Sequence, residues 1–461
     1  MRQLLLDTKT MMQDKIFLSK AVRIALPVAM QGMLNTVVNL VDNLMIGSLG
    51  STAIASVGLA NKVFFVYSLL VFGVVSGSGI LAAQYWGNGD VKNIRKVLGL
   101  ALMIALTASI LFLLPARVNP QMIMRIFTTS EASIQMGASY LAVAALTYPF
   151  YAVTTTYVAM LRAVNRVKAP VVISCFTIFI NIIFNYILIF GKFGAPALGV
   201  VGAAIATLLA RVTEAVAILC VVYGTKTPLA CHVRELFGYS KAFLRQFLVT
   251  ASPVIANEFV WGLGTTIYSM AYGRMGDDAV AAITIATTIQ DIVVVLFQGL
   301  SAATAVILGN ELGAGKIKLA ERYAKNFFIL QFLVTVAAAL ACVATRWGVI
   351  SLYQPGISDA VAMDVSKCLI MFACFMPFKM FNYVNVVGVL RSGGDTGMCL
   401  FIDTSGVWVI GIPLAFIGGL VLKQPIYIVY GMVMLEEVYK AILGYWRYRQ
   451  KKWLRNLAAE V

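Results

Sequence analysis

Apolar runs of about 20 residues recur along the whole chain, and they constrain the fold more than any other feature of the sequence. Each run is long enough to cross the roughly 30 Å hydrocarbon core of a bilayer as a helix. Backbone polar groups in lipid must be satisfied within the segment, so long apolar runs favour helices, whereas a transmembrane barrel would show short alternating segments. Only 12% of the residues are charged, against about a quarter in soluble proteins. We therefore predict an all-α, polytopic membrane protein.

Twelve transmembrane helices are predicted from these runs and from the glycines and prolines that separate them. The predicted spans cover residues 23–47, 53–82, 97–116, 134–159, 170–190, 200–223, 247–271, 279–309, 323–345, 362–388, 398–420 and 426–446.

Lysines and arginines are unevenly distributed between alternate connections of these spans. About 26 lie in the N-terminal segment, the even connections and the C-terminal segment, against about seven in the odd connections. The positive-inside rule then predicts a multi-pass protein of the plasma (inner) membrane with both termini in the cytoplasm. Anchoring near anionic lipid also accounts for the net charge of +16, so a nucleic-acid partner is not expected.

The two halves of the chain resemble each other at a nearly constant offset. Pro27 and Gly50 recur 226 positions later as Pro253 and Gly276, and Leu161–Arg162 recurs as Leu390–Arg391. This repeat predicts two pseudo-symmetric six-helix bundles in parallel orientation, which suits two bundles rocking around a central site. The predicted organisation is a cytoplasmic segment at 1–22, an N-lobe at 23–223, a cytoplasmic linker at 224–246, a C-lobe at 247–446 and a basic cytoplasmic tail at 447–461.

A group of polar residues in spans 1, 5 and 6 forms the first candidate site. Ionisable side chains at membrane depth are costly, so each needs a partner, a cavity or a function. Asn39 and Asp42 share a face of span 1, and no basic residue lies one turn from Asp42 on that helix. If the three spans converge, Asn181, Asn185 and Thr207 would surround Asp42 with oxygen atoms. Asp42, Asn181 and Asn185 are therefore a candidate Na⁺ site.

The second half carries a second candidate site for cation coupling or substrate binding. Its residues are Glu258 in span 7, Asp291 in span 8 and Asn382 in span 10. Glu258 also has no basic residue one turn away on its own helix. Buried acids outnumber buried bases in the chain as a whole, and an acidic interior with aromatic walls suits organic cations.

Other buried charges have structural interpretations. Arg211 and Glu214 lie one turn apart and are interpreted as a neutralising pair, whereas Asp403 lies near the end of its span and is interpreted as solvated or capped. Lys62, in span 2, is placed to pair with Asp42 and to compete with a coupling ion.

Four segments resemble motifs of the multidrug and toxic compound extrusion (MATE) family. They are Val41-Asp42-Asn43-Leu44-Met45-Ile46-Gly47, Leu161-Arg162-Ala163, Leu198-Gly199-Val200-Val201-Gly202-Ala203-Ala204 and Leu390-Arg391-Ser392-Gly393-Gly394-Asp395-Thr396. The resemblance covers essentially the whole chain. It implies two six-helix lobes forming a V that export cationic or amphipathic compounds in exchange for H⁺ or Na⁺.

The resemblance also implies roles for individual residues. Asp42 matches the first-span carboxylate of the family, which takes part in cation coupling in the N-lobe, and Asn181, Asn185 and Thr207 match its polar partners. Glu258 matches the span-7 acid of the branch typified by the NorM exporters, which is absent from the DinF-like branch. The span-10 acid of that branch has no counterpart here, where Lys379, Asn382 and Asn385 lie, and Asp291 is a candidate substitute.

We therefore predict a secondary antiporter that works by alternating access and exports small organic cations or amphipathic drugs. The alternative is a flippase for a lipid-linked precursor with the same superfamily architecture, for which the basic Lys62, Lys379 and Arg211 would provide anion contacts. An enzyme is not expected, because the only histidine, His232, lies in a polar connection. No cofactor is predicted besides the coupling ion, and we expect a monomer in the bilayer.

Overall fold

The computed structural model describes residues 2–353 and 357–459. All regular secondary structure in these residues is helical, and no strand occurs among them. Met1, Glu460 and Val461, which belong to the predicted N-terminal segment and tail, lie outside the described residues.

Twelve long helices, α1 to α12, correspond one to one to the predicted spans. They are Lys15–Gly47, Ser51–Gly87, Val91–Val118, Glu131–Ala163, Lys168–Phe190, Gly199–Gly224, Lys241–Gly273, Asp277–Gly313, Ile317–Ile350, Asp359–Leu390, Thr396–Val421 and Ile426–Arg449. Short helices at Arg2–Gln13 and Pro120–Phe127 precede α1 and follow α3. Within the described ranges, α1 to α11 are long and apolar enough to cross a membrane, and α12 differs because it contains Glu436, Glu437 and Lys440. The predicted all-α, multi-span fold is confirmed.

The internal repeat is visible in matching helix lengths and turns. Helices α1 and α7 both have 33 residues and contain Pro27 and Pro253, respectively. Helices α2 and α8 both have 37 residues and follow Gly50 (φ 107°) and Gly276 (φ 109°). Only glycine adopts this backbone region readily, so the same residue is required at both turns.

The chain folds into two compact units whose limits lie inside helices. One unit, which we call the N-unit, is Met30–Ile255, and the other, the C-unit, is Met1–Ala29 together with Ala256–Val461. The first part of α1 therefore belongs to the C-unit, and the first part of α7 belongs to the N-unit. The predicted lobe and linker limits at 23, 224 and 247 fall elsewhere and stay a prediction.

In the N-unit, helix α5 separates an apolar face from a polar one. Val172, Phe176, Phe179 and Ile183 recur every three or four residues and are more than half exposed, as expected for a face that meets lipid. Asn181 precedes Ile183 by two residues and Asn185 follows it by two, yet both are buried. The polar face of α5 therefore points towards the interior of the unit.

Helices α2, α3 and α4 are fixed to one another by an aromatic core. The rings of Tyr67 and Tyr148 stack at 4.7 Å, and the hydroxyl of Tyr67 bonds both Ser109 Oγ and the Tyr148 carbonyl oxygen at 2.8 Å. Both rings are fully buried, so this contact combines a large apolar area with a hydrogen-bonded Tyr67 hydroxyl.

The segment after α12 is part of the C-unit and does not extend away from it. Trp453 is fully buried, and its backbone leaves no room for a Cβ atom at Gly393. Arg447 holds Asp395 with two hydrogen bonds of 2.5 and 2.9 Å. The glycines of the connection between α10 and α11 are thus explained by the close approach of this segment.

Candidate functional site

Asp42, Asn181, Asn185 and Thr207 lie together in the N-unit. Asn185 Nδ2 donates to Asp42 Oδ1 at 2.6 Å and is 3.2 Å from Asn181 Oδ1, while Asn181 Nδ2 is 3.5 Å from Thr207 Oγ1. The chain of contacts therefore runs from α1 through α5 to α6. Four of the five side chains that the sequence predicted for this site are brought together.

The fifth, Asn39, is placed differently. It is exposed one turn before Asp42 on α1, and its side chain makes no hydrogen bond to any described residue. Lys62 is exposed on α2, and the described part of the chain contains no ion pair between Lys62 and Asp42. The competition predicted for Lys62 is therefore not seen in this conformation.

The oxygen atoms around Asp42 suit a hard monovalent cation. Asn185 Oδ1 is buried and accepts no hydrogen bond, so it is available as a ligand. The Asp42 carboxylate, Asn181 Oδ1 and Thr207 Oγ1 are the neighbouring oxygens. No group of three His, Cys, Asp or Glu side chains that could hold a metal ion occurs in the described ranges.

A second N-unit network lies nearer to the beginning of α1 and α5. Arg162 donates to Gln31 Oε1, Gln31 Nε2 donates to Ser174 Oγ at 2.8 Å, and Ser174 Oγ donates to Glu214 Oε1 at 3.2 Å. Arg211 Nη1 lies 2.7 Å from Glu214 Oε2, which is the pair that the sequence predicted. We call Arg162, Gln31 and Ser174 the N-unit joint, because they connect α4, α1 and α5.

The C-unit contains the equivalent joint, with acids in it. Arg391 Nη1 is 3.1 Å from Glu258 Oε1, and its Nη2 is 3.9 Å from Asp403 Oδ2. Asn257 Nδ2 donates to Asp403 Oδ2 at 3.0 Å. We call Arg391, Glu258, Asn257 and Asp403 the C-unit joint. The interpretation of Asp403 as merely solvated or capped was wrong, because two side chains from other helices hold it.

Asn382 belongs to a different group of charges in the C-unit. Its Nδ2 donates to Glu437 Oε2 at 2.9 Å, and Lys379 Nζ is 3.2 Å from Glu437 Oε1. On α12, Lys440 Nζ is 3.2 Å from Glu436 Oε1. Lys379 of α10 thus pairs with Glu437 of α12, and Lys440 pairs with Glu436 within α12.

The three C-unit residues that the sequence predicted are not brought into one site. Glu258 lies in the C-unit joint, Asn382 binds Glu437, and Asp291 is exposed on α8 without a hydrogen bond or ion pair to any described residue. Sequence reasoning missed the partnership of Arg391 with Glu258. The recurrence of Leu161–Arg162 as Leu390–Arg391 was the available signal, since it placed an arginine at the same point of both repeats.

Known proteins resemble this chain over most of its length. A probable multidrug resistance protein NorM of Thermotoga maritima is 24% identical over 404 residues, covering 86% of this chain and 84% of the relative. The uncharacterized transporter YisQ of Bacillus subtilis is 23% identical and covers 90% of each chain. A crystal structure of MATE in complex with MaL6 matches the fold with a TM-score of 0.85 at 20% identity, over 94% of this chain and 96% of that one.

The family model named MatE matches residues 27–187 and 253–417, one match in each repeat. These two matches contain the helices that carry Asp42, Asn185, Glu258 and Arg391. With the repeat, the helix plan and the polar joints, they identify the chain as a member of the MatE family of multidrug efflux transporters.

Proposed function

We propose that this protein exports cationic or amphipathic organic compounds by H⁺- or Na⁺-coupled antiport with alternating access. The observation that carries the proposal is the environment of Asp42. Its carboxylate is held by the neutral amide of Asn185, and free or exchangeable oxygens of Asn181, Asn185 and Thr207 lie beside it. A carboxylate in such a place can exchange a proton, a sodium ion or an organic cation, because each supplies the same missing positive charge.

The charge balance of the C-unit favours export of cations over the alternative of a lipid-precursor flippase. Lys379, Lys440 and Arg391 each pair with a carboxylate. Arg211 of the N-unit likewise pairs with Glu214. These basic groups are therefore already neutralised, whereas a pyrophosphate headgroup needs cations that are free to bind it.

We further propose a monomer in the inner membrane with both termini in the cytoplasm, and no enzymatic reaction. The distribution of lysine and arginine between alternate connections supports this orientation. Cysteine accessibility at an introduced Ser351→Cys and Ser240→Cys on opposite predicted sides measures it in intact cells.

Transport in proteoliposomes tests the function. Purified protein is reconstituted, and movement of a fluorescent organic cation such as rhodamine 6G is followed under an imposed pH gradient, an imposed Na⁺ gradient, or neither. We expect uphill movement with one of the two gradients. Equal movement with and without gradients contradicts antiport, and uptake of a lipid pyrophosphate instead of the organic cation supports the flippase.

A further inference from the structure

Arg391 occupies the place beside Glu258 that a coupling cation would take. It follows the π-helical segment Tyr383–Leu390 of α10, and its side chain is only 2% exposed. The guanidinium lies between two carboxylates, 3.1 Å from Glu258 Oε1 and 3.9 Å from Asp403 Oδ2. The positive charge between these acids is therefore part of the chain itself.

Both joints contain an arginine at the same point of the repeat. Arg162 and Arg391 are equivalent, 229 positions apart, and Ser174 and Asp403 are separated by the same distance in sequence. In the N-unit joint, Arg162 donates to the Gln31 amide, which in turn donates to a hydroxyl, and no carboxylate of the described residues forms an ion pair with this arginine. The arginine is thus present in both repeats, with acids beside it only in the C-unit. Glu258 and Asp403 are therefore the negative partners of an arginine that belongs to the repeat itself.

A tethered guanidinium differs from an exchangeable ion in two respects. It remains protonated at every physiological pH, and it presents donors in a fixed fork that fits carboxylates. It also cannot diffuse away from Glu258, because it is part of the same chain. A free cation has to displace it from Glu258 and leave the buried guanidinium with Asp403 alone, 3.9 Å away, which is unfavourable.

The charges of the C-unit joint do not cancel completely, since two carboxylates face one guanidinium. The remaining negative charge is accommodated at Asp403. Its side chain is 18% exposed, against 13% for Glu258, and Asn257 donates a hydrogen bond to it.

We propose that Arg391 is the resident counter-ion of Glu258 and Asp403, so that the C-unit joint takes up no coupling ion and Asp42 is the one exchange site. The inference rests on the proposed antiport and names where its ion binds. Asp42 contrasts with Glu258, because its contact is a neutral amide and the nearby Arg211 is paired with Glu214. In this account Arg391 is a positioning residue, and it fixes the number of ions exchanged per substrate.

The number of cations released when a substrate binds tests this inference. Detergent-purified protein is loaded with ²²Na⁺ or equilibrated in weak buffer, and tetraphenylphosphonium is added as the organic cation. Released ²²Na⁺ and H⁺ are counted per bound tetraphenylphosphonium. The variants are Asp42→Asn, Glu258→Gln, Arg391→Gln and the matched neutral pair Glu258→Gln with Arg391→Gln.

We expect wild type to release one cation and Asp42→Asn to release none. Glu258→Gln is less stable yet still releases one cation, as does the neutral pair. Arg391→Gln uncovers both carboxylates and releases a second cation. If Arg391→Gln does not fold, the cation count of Glu258→Gln decides the matter alone.

The failure of this inference is distinguishable from failure of the proposed function. A lower cation count in Glu258→Gln, with none in Asp42→Asn, overturns the role of Arg391 but leaves antiport intact. An unchanged count in Asp42→Asn, or no release from wild type, overturns the antiport proposal itself.

Discussion

Arg95 and Glu321 stand 226 positions apart, at equivalent points of the two repeats, and with opposite charges they hold the segments that follow α6 and α12, respectively. Arg95 Nη1 is 2.5 Å from Glu235 Oε1, in the segment after α6. Glu321 Oε1 is 2.6 Å from Lys451 Nζ, in the segment after α12. The segments at 225–240 and 450–459 are therefore anchored to their units in corresponding ways.

The two anchors differ in strength, which gives a first prediction. Arg95 also donates to the Pro228 and Ala230 carbonyl oxygens, each at 3.0 Å, whereas the Glu321–Lys451 pair is largely exposed. Arg95→Gln should cost about 1–3 kcal/mol, because two carbonyl acceptors lose a charged donor. Glu321→Gln should cost about 0–1 kcal/mol, as for other surface pairs.

The midpoint of thermal unfolding in detergent measures this difference, with each variant serving as the control for the other. Equal destabilisation by Arg95→Gln and Glu321→Gln would show that the carbonyl contacts of Arg95 contribute nothing.

Glu235 makes the segment after α6 sensitive to acid. The His232 backbone N–H donates to its carboxylate at 2.7 Å, and this bond, with Arg95 beside it, holds the pKa of Glu235 below its usual value of 4.5. A carboxyl whose pKa is lowered on folding contributes stability above its unfolded pKa and loses it as the pH falls through the folded pKa. The contacts of Glu235 with His232 and Arg95 should therefore be intact near neutrality and be lost below the usual pKa of a glutamate.

Hydrogen exchange of the backbone amides at 232–236 measures this release. After correction for the intrinsic rate, we expect protection to fall between about pH 5 and pH 3. Glu235→Gln retains His232 and Arg95, and its weaker protection should not change over that range. A similar fall in the variant would assign the effect to another group.

Asp42→Asn should remove uphill export without preventing membrane insertion. The neutral isostere is cheaper to bury than a carboxylate and keeps an oxygen for Asn185, but it cannot exchange a proton or neutralise the charge of a bound cation. Gradient-driven efflux from proteoliposomes and the yield of monodisperse protein are measured together. Asn35→Ala is the matched control, because Asn35 is exposed two turns earlier on α1. Wild-type efflux by Asp42→Asn would remove this carboxylate from the coupling mechanism.

The N-unit site was predictable from sequence because its members lie at helical spacing on three apolar spans. Asn181 and Asn185 are four residues apart, and Asp42 lies near the end of α1, so convergence of the spans was sufficient to bring them together. The repeat likewise predicted the paired turns at Gly50 and Gly276.

The partners of the C-unit acids were not predictable in this way. Glu258, Arg391 and Asp403 lie on three different helices, and periodicity along one helix gives no register between helices. Asn382 and Glu437 are likewise on α10 and α12. No basic residue lies one turn from Glu258 on its own helix, and only the folding of the chain brings Arg391 beside it.

Glu258→Gln should destabilise the protein more than Asp42→Asn does. Glu258→Gln removes the nearer of the two carboxylates that face the buried Arg391, which keeps only Asp403 at 3.9 Å, so the change should cost about 1–3 kcal/mol. Transport should fall together with the midpoint of thermal unfolding. The variant Arg391→Gln provides the control background, and Glu258→Gln should cost less stability there than in wild type, because the interaction between the two residues is already absent. An equal cost in both backgrounds would contradict a direct interaction.

Trp453 should anchor the segment after α12 through its indole ring. The ring is fully buried, stacks on Tyr448 at a centroid distance of 5.8 Å, and is the largest fully buried side chain of the described residues. Trp453→Ala should therefore cost about 3–5 kcal/mol through the cavity it creates, and Trp453→Phe should cost less because it keeps an aromatic ring against Tyr448.

Limited trypsin digestion at Lys451, Lys452 and Arg455, read by intact-mass spectrometry, measures how often the segment opens. We expect fast cleavage in Trp453→Ala and slow cleavage in Trp453→Phe and wild type. Slow cleavage of Trp453→Ala, or rapid cleavage of wild type, would mean that burial of the indole contributes little to the docking of the segment.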